Sequence, residues 1–199
     1  MKNILVVQAS VSAAQSYSNQ LIDFFLQQVP ASVTVQQLDV TTAALPHLEM
    51  ADLVAWNTPA DERSETQQHL AALSDNAIAA VQAADLIVIG VPMYNFGIPS
   101  QLKAWMDRIA RAGVTFRYTE QGPVGLLADK PVLFVATRGG LYQGTSNDNQ
   151  TPFLRQFFQL IGLHQQHFVY AEALNMGQAD QATATAKAEL TTLSTQWFR

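Results

Sequence analysis

The chain contains no cysteine, which excludes disulfide scaffolds, thiolate zinc sites, cysteine nucleophiles and cysteine-ligated clusters. Charge is sparse as well, at 14% of 199 residues, with 11 Lys+Arg against 16 Asp+Glu and a formal net charge of -5. Neither sign forms a run, so the basic stripe that a nucleic-acid or anionic-lipid surface requires is missing and no nucleic-acid partner is expected. Long apolar stretches are absent too, none approaching the roughly 20 residues that cross a bilayer, so no membrane segment is expected. Met1-Lys2-Asn3 runs directly into Ile4 to Val7, too short an apolar region for a secretory signal, and a cytoplasmic location follows as the expectation.

What the chain does have is alternation. Continuous apolar runs bounded by turn residues occur at Ile4 to Val7, Leu86 to Val91, Val132 to Ala136 and Phe168 to Ala173, with a more alternating run at Val33 to Val40. These predict five strands. Between them, helical spacing appears at Leu21, Phe24, Phe25 and Gln28, then Leu70 to Val81, Leu102 to Ile109 and Phe153 to Ile161. A last amphipathic helix carries Ala182, Ala186, Leu190, Leu193 and Trp197. Unbroken apolar strands separated by helices suit a parallel sheet covered on both faces. The expectation is one α/β domain over 1–199, doubly wound, with the flavodoxin-like strand order 2-1-3-4-5 and helices on both faces. Thr41 to Glu65 shows no clear period and is expected to be a long loop, either a lid, an interface or a surface excursion.

In such a sheet a ligand sits at the carboxyl ends of the strands, so three loops matter. Gln8 to Asn19 lacks glycine, which excludes both the dinucleotide-binding glycine turn and the P-loop. It carries Ser10, Ser12, Ser16 and Ser18 at a helix start, a setting for a phosphate or for a plain helix cap. Pro92 to Pro99 places Met93, Tyr94, Asn95 and Phe96 after the third strand, either to enclose a flat heterocycle or to pack beneath the next helix. Thr137 to Gly144 has Gly139-Gly140, which lets backbone N–H groups approach a ligand closely or makes an ordinary turn. Arg138 beside them is a surface charge or an ion-pair partner.

The combination resembles the FMN-dependent NAD(P)H azoreductases, the bacterial branch of the flavodoxin-like quinone reductases. The likeness runs nearly end to end, through Ser10, Ser16-Tyr17-Ser18-Asn19, Pro92 to Phe96, Gln101-Leu102-Lys103, Ala110 to Glu120, Gly122-Pro123, Gly125-Leu126, Arg138-Gly139-Gly140 and Ile161-Gly162. The resemblance implies a homodimer with one FMN per subunit, reduced by NADH or NADPH and reoxidised by a quinone or azo acceptor. It implies that Ser10, Ser16, Tyr17 and Ser18 hold the phosphate and that Met93, Tyr94, Asn95 and Phe96 line the isoalloxazine. Thr137, Arg138, Gly139 and Gly140 would bond its pyrimidine side. Asn95 would help to stabilise reduced flavin, and Tyr118 would line the substrate side from the dimer partner. The chain departs from a well-known form at Leu160, where that form has Phe, and carries Tyr142 where some members have His.

The reading of the residues also sets limits. His47, His69, His164 and His167 lack the carboxylates of a metal site, so no metal is expected. No G-x-S-x-G elbow is present. The third strand ends in Gly90-Val91-Pro92 without the acid a receiver domain needs. Asp107 and Arg111, four apart on one helix, are expected to form a surface pair. The rival function is a flavodoxin proper, an FMN electron carrier without its own substrate, against which the modest charge and the block Ala110 to Glu120 both weigh.

Overall fold

The computed structural model describes residues 1–12 and 15–198; Ala13 and Ala14, within the serine loop, and Arg199 lie outside the described residues. In chain order the elements are β1 (Asn3–Gln8), α1 (Tyr17–Leu26), β2 (Thr34–Asp39), α2 (Met50–Asn57), α3 (Glu65–Ala83), β3 (Leu86–Pro92), α4 (Ser100–Ile109), β4 (Phe116–Thr119), β5 (Gly122–Gly125), β6 (Val132–Thr137), α5 (Gln150–Leu160), β7 (Gln166–Ala171) and α6 (Ala179–Phe198). The five-stranded sheet runs β2-β1-β3-β6-β7, every pair parallel. Counted among the sheet strands alone, that is the expected order 2-1-3-4-5. No described helix is long and apolar enough to cross a membrane.

The two faces of the sheet are separate cores. Leu5, Val7, Ile87, Ile89 and Phe134 point to one face and meet α3, α4 and α5. Their chain neighbours Ile4, Val6, Val88, Leu133 and Val135 point to the other and meet α1 and α6. Strand side chains alternate between faces, so a central strand with helices on both sides is apolar along its covered length, as β3 is and as β6 is up to Thr137 at its carboxyl end. Fully burying one such aliphatic side chain contributes about 1.5–3 kcal/mol.

Three departures from the sequence reading have physical causes. The stretch Thr41 to Glu65 is not wholly a loop: it contains α2 and a 3-10 turn at Ala60–Glu62. The helix hides from periodicity because only Asp52 and Ala55 face inward, while Met50, Leu53 and Val54 stand exposed. It is held by cations instead of an apolar stripe. Arg108, fully buried, pairs with Asp52 and donates to the carbonyls of Pro46 and His47 at 3.1 and 3.3 Å.

The expected pair Asp107–Arg111 does not form. Asp107 pairs with Lys103 at 2.6 Å, one turn back on the same helix. Arg111 lies beyond the end of α4, where it reaches Asp75 of α3 at 2.6 Å, donates to Trp56 O at 3.2 Å and lies over the Trp56 ring. The third departure is the β4–β5 hairpin, invisible because Gly122-Pro123 carries little strand signal. Gly125 anchors that hairpin on the end of α5: a Cβ there would lie 2.1 Å from Gly162 N, so no other residue fits without moving backbone.

Candidate functional site

β1, β3 and β6 are neighbours at the point where the winding direction switches, and their carboxyl ends bring the three loops together. Side chains tie the loops to one another. The hydroxyls of Ser10 and Tyr94 lie 3.1 Å apart, and Val11 N donates to Tyr94 Oη at 3.2 Å. Met93 N donates to Thr137 O at 2.9 Å, which joins the second loop to the end of β6.

At the first loop Ser16 caps α1, its Oγ accepting from Asn19 N at 3.2 Å. Ser18 is fully buried, and its hydroxyl lies 3.0 Å from Ser16 Oγ. Its side chain therefore supports the cap, leaving its backbone N–H as its means of meeting a ligand. No described residue accepts from the N–H of Tyr17 or Ser18. Such donors at a helix N-terminus, reinforced by the helix dipole, favour an anion.

The second loop is a two-residue turn. Tyr94 and Gly97 exchange backbone hydrogen bonds at 3.1 and 2.9 Å, and the residues between them, Asn95 and Phe96, have φ of 50° and 64°. This pattern is the type I′ turn. Asn tolerates the left-handed region, whereas Phe at such a φ costs on the order of 1–3 kcal/mol. The turn thus holds the Asn95 and Phe96 N–H groups clear of any acceptor among the described residues, with the Phe96 ring 51% exposed.

Beneath the third loop lies a network that the sequence did not disclose. Arg138 is not a surface charge; it is buried at 1% exposure. It donates to Gln150 Oε1 at 3.1 Å, Glu172 Oε1 at 3.1 Å, Asp148 Oδ1 at 2.9 Å and Thr151 Oγ1 at 3.0 Å. Its guanidinium also lies over the Tyr170 ring. The side chain is therefore spent on the scaffold, and so is the backbone N–H, which donates to Ala171 O at 2.9 Å, so Arg138 serves the site by supporting its neighbours. Burial raises the Asp148 carboxyl, but the Thr151 N–H and the Arg138 guanidinium outweigh it and hold the group below its ordinary value. Burial pushes the Tyr170 hydroxyl up.

Glu172 Oε1 also accepts from Tyr142 N and Gln143 N, each at 2.9 Å, which pulls that stretch aside. Gly139 N, Gly140 N and Leu141 N are left with no acceptor among the described residues. A Cβ at Gly140 would come within 2.9 Å of Tyr142 Oη, so glycine keeps these donors approachable. Tyr142 in turn packs edge-on against Phe96, ring centroids 5.7 Å apart.

Tyr118, on β4, projects away at 76% exposure with only an edge contact to Phe116. Alongside the turn, a cleft of about 520 Å³ is bordered by Gly97, Ile98, Lys103 and Phe153. Beyond Phe153 a second, of about 430 Å³, is bordered by Pro123, Phe157 and Leu160. The site residues missing from the sequence reading are Asp148, Gln150 and Glu172. No motif marks them, because what singles them out is their meeting around one buried guanidinium.

An anion cradle at α1 faces a row of unspent backbone donors at 95, 96 and 139–141, beside exposed aromatic and apolar groups. That set fits a planar heterocycle carrying a phosphate, and FMN has both parts. Comparison with known proteins points the same way. The FMN-dependent NADH:quinone oxidoreductase of Alteromonas mediterranea is 49% identical over 198 residues, covering 98% of this chain and 99% of the relative. The protein of the same name from Cellvibrio japonicus is 49% identical over 194 residues, covering 96% and 97%. The crystal structure of an FMN-dependent NADH-azoreductase from Bacillus anthracis in complex with FMN superposes with a TM-score of 0.89 at 25% identity, covering 100% of both chains. A family described by its flavodoxin-like fold matches residues 2–193, and it is to this family that the chain belongs.

Proposed function

We propose that the chain is an FMN-dependent NADH:quinone oxidoreductase that also reduces aromatic azo compounds, one FMN-binding domain per subunit of a homodimer. The observation that carries the reading is the row of unspent backbone N–H groups on three loops at the switch point. Bound FMN supplies the chemistry, taking a hydride from the nicotinamide and returning two electrons to the acceptor. The chain's own residues bind and orient. Ser10, Ser16 and the N–H groups of Tyr17 and Ser18 hold the phosphate. Met93 to Phe96 flank the ring, and within the stretch Thr137 to Gly140 the backbone N–H groups of Gly139 and Gly140 donate to its carbonyl edge. Donors aimed where negative charge accumulates on reduction stabilise the reduced ring, which is the part assigned to Asn95 and to Gly139-Gly140.

NADH is the donor assigned here, because the relatives that match nearly the whole chain are named FMN-dependent NADH:quinone oxidoreductases. The exposed Tyr118, Val124 and Leu126 at the hairpin offer apolar surface of the kind that a second copy covers, and in the proposed homodimer Tyr118 lines the substrate side of the partner's flavin. A cytoplasmic location suits a cysteine-free chain reduced by NADH.

Steady-state kinetics test the proposal. With FMN bound, NADH and benzoquinone are expected to give parallel double-reciprocal lines, one substrate leaving before the other enters. FMN binding without NADH oxidation would return the chain to the electron-carrier reading.

A further inference from the structure

We infer that Gln150 is a positioning residue that sets the attitude of the flavin-facing turn. The inference rests on the FMN reading above and adds to it a residue that does not itself touch the ligand. Gln150 opens α5 and is 1% exposed. Its Oε1 accepts from Arg138 Nε at 3.1 Å. Because a guanidinium has no acceptor, this contact fixes which end of the amide is oxygen. The NH₂ end must then face the other way, where it donates to Pro92 O at 3.1 Å and Gly97 O at 2.9 Å.

One side chain therefore spans the two loops that follow β3 and β6. The turn between Tyr94 and Gly97 closes on itself through its own backbone, but those bonds say nothing about its angle to the sheet. Met93 N and the Tyr94 hydroxyl tie the near end of the loop to its neighbours, and Gly97 O is where the far end of the turn is fastened. The left-handed backbone at Asn95 and Phe96 persists only if its surroundings over-determine it, and the two carbonyls held by Gln150 lie on either side of that pair in the chain. Arg138, held in turn by Asp148, Glu172 and Thr151, is the fixed post against which the amide pulls. The N–H groups of Asn95 and Phe96 are aimed by this clamp before any ligand arrives, so the ordering cost is not charged to binding.

The test titrates apoprotein into FMN and follows quenching of flavin fluorescence. Gln150→Met keeps the volume and loses all three hydrogen bonds. Gln150→Glu keeps an acceptor for Arg138, which protects folding, but has no donor for Pro92 O or Gly97 O. Both are expected to raise the Kd for FMN at least about tenfold and to blur the fine structure of the bound flavin's visible bands. Ser74→Ala is the control: it removes a buried hydrogen bond to Arg108 O at 2.7 Å, between α3 and α4 and outside the clamp, and should lower the melting temperature while leaving Kd within about twofold. An effect of both Gln150 variants no larger than that of Ser74→Ala overturns the inference. Failure of the unaltered chain to bind FMN overturns the functional reading instead.

Discussion

Arg138 Nη2 lies 2.9 Å from Asp148 Oδ1 beneath the third loop, with the two side chains 0% and 6% exposed. The same guanidinium reaches Glu172 and Gln150, and through them both loops proposed to face the flavin. The residue adjacent to the glycine pair thus serves the site from behind. Its charge is answered by Asp148 and Glu172, which leaves backbone N–H groups, not a cation, exposed to a ligand at this loop.

Arg138→Met should be strongly destabilising. Removing one partner of a buried ion pair leaves the other charge uncompensated, at a cost of about 3–5 kcal/mol. Arg138→Lys should recover little, because a point-charge ammonium cannot serve four acceptors arranged for a planar fork. Urea denaturation of the apoprotein measures both; a loss under about 1 kcal/mol for Arg138→Met would be incompatible with this role.

Asp52→Ala should detach α2. The Arg108–Asp52 pair is fully desolvated, so a loss of about 3–5 kcal/mol is again expected. Limited proteolysis should cut within residues 41–65 faster than in the unaltered chain. Unchanged proteolysis would mean that other contacts hold the segment.

Ser16→Ala separates the phosphate from the ring. Loss of an N-cap costs about 1 kcal/mol of helix stability and removes a hydroxyl from the anion cradle. FMN affinity should fall by about tenfold or more, while riboflavin, which lacks the phosphate, should bind with little change. Equal losses for both ligands would place the phosphate elsewhere.

Acid should destabilise the fold in two stages. Burial holds His167 below its ordinary value of 6.5, where its ring packs against Trp197. A lowered histidine binds protons more readily when unfolded, so its contribution is intact above 6.5 and falls as pH drops toward the folded value. Glu189, raised by burial, acts in the opposite sense over its own range. Burial raises Asp129, but the His164 N–H and the Gln165 amide groups outweigh it, and like Asp148 it is held below 3.8. Stability from these two is intact above 3.8 and lost as pH falls through their lowered values. Melting temperatures from pH 8 to 3 should show both declines, and His167→Phe should flatten only the upper one.

The sheet was legible because β3, and β6 up to Thr137, are unbroken apolar runs, a pattern that surface strands do not carry. The cap at Ser16 was legible because helix starts demand particular residues, whereas the left-handed turn at Asn95 and Phe96 was not, since Phe gives no sign of such a φ. Gln150 and Glu172 were not, since a buried polar residue looks like a surface one until its partners are known. Nor was α2, whose inward face is a carboxylate answered by an arginine 56 residues away.

The most direct test is an anaerobic two-step titration of the FMN-loaded protein, recorded in the visible range. Stoichiometric NADH should bleach the flavin bands within the time of turnover, and benzoquinone added afterwards should restore them, with NADPH at least about tenfold slower in the first step. Flavin bands that NADH leaves intact, but that a chemical reductant bleaches, would contradict the account and describe a carrier instead of a reductase.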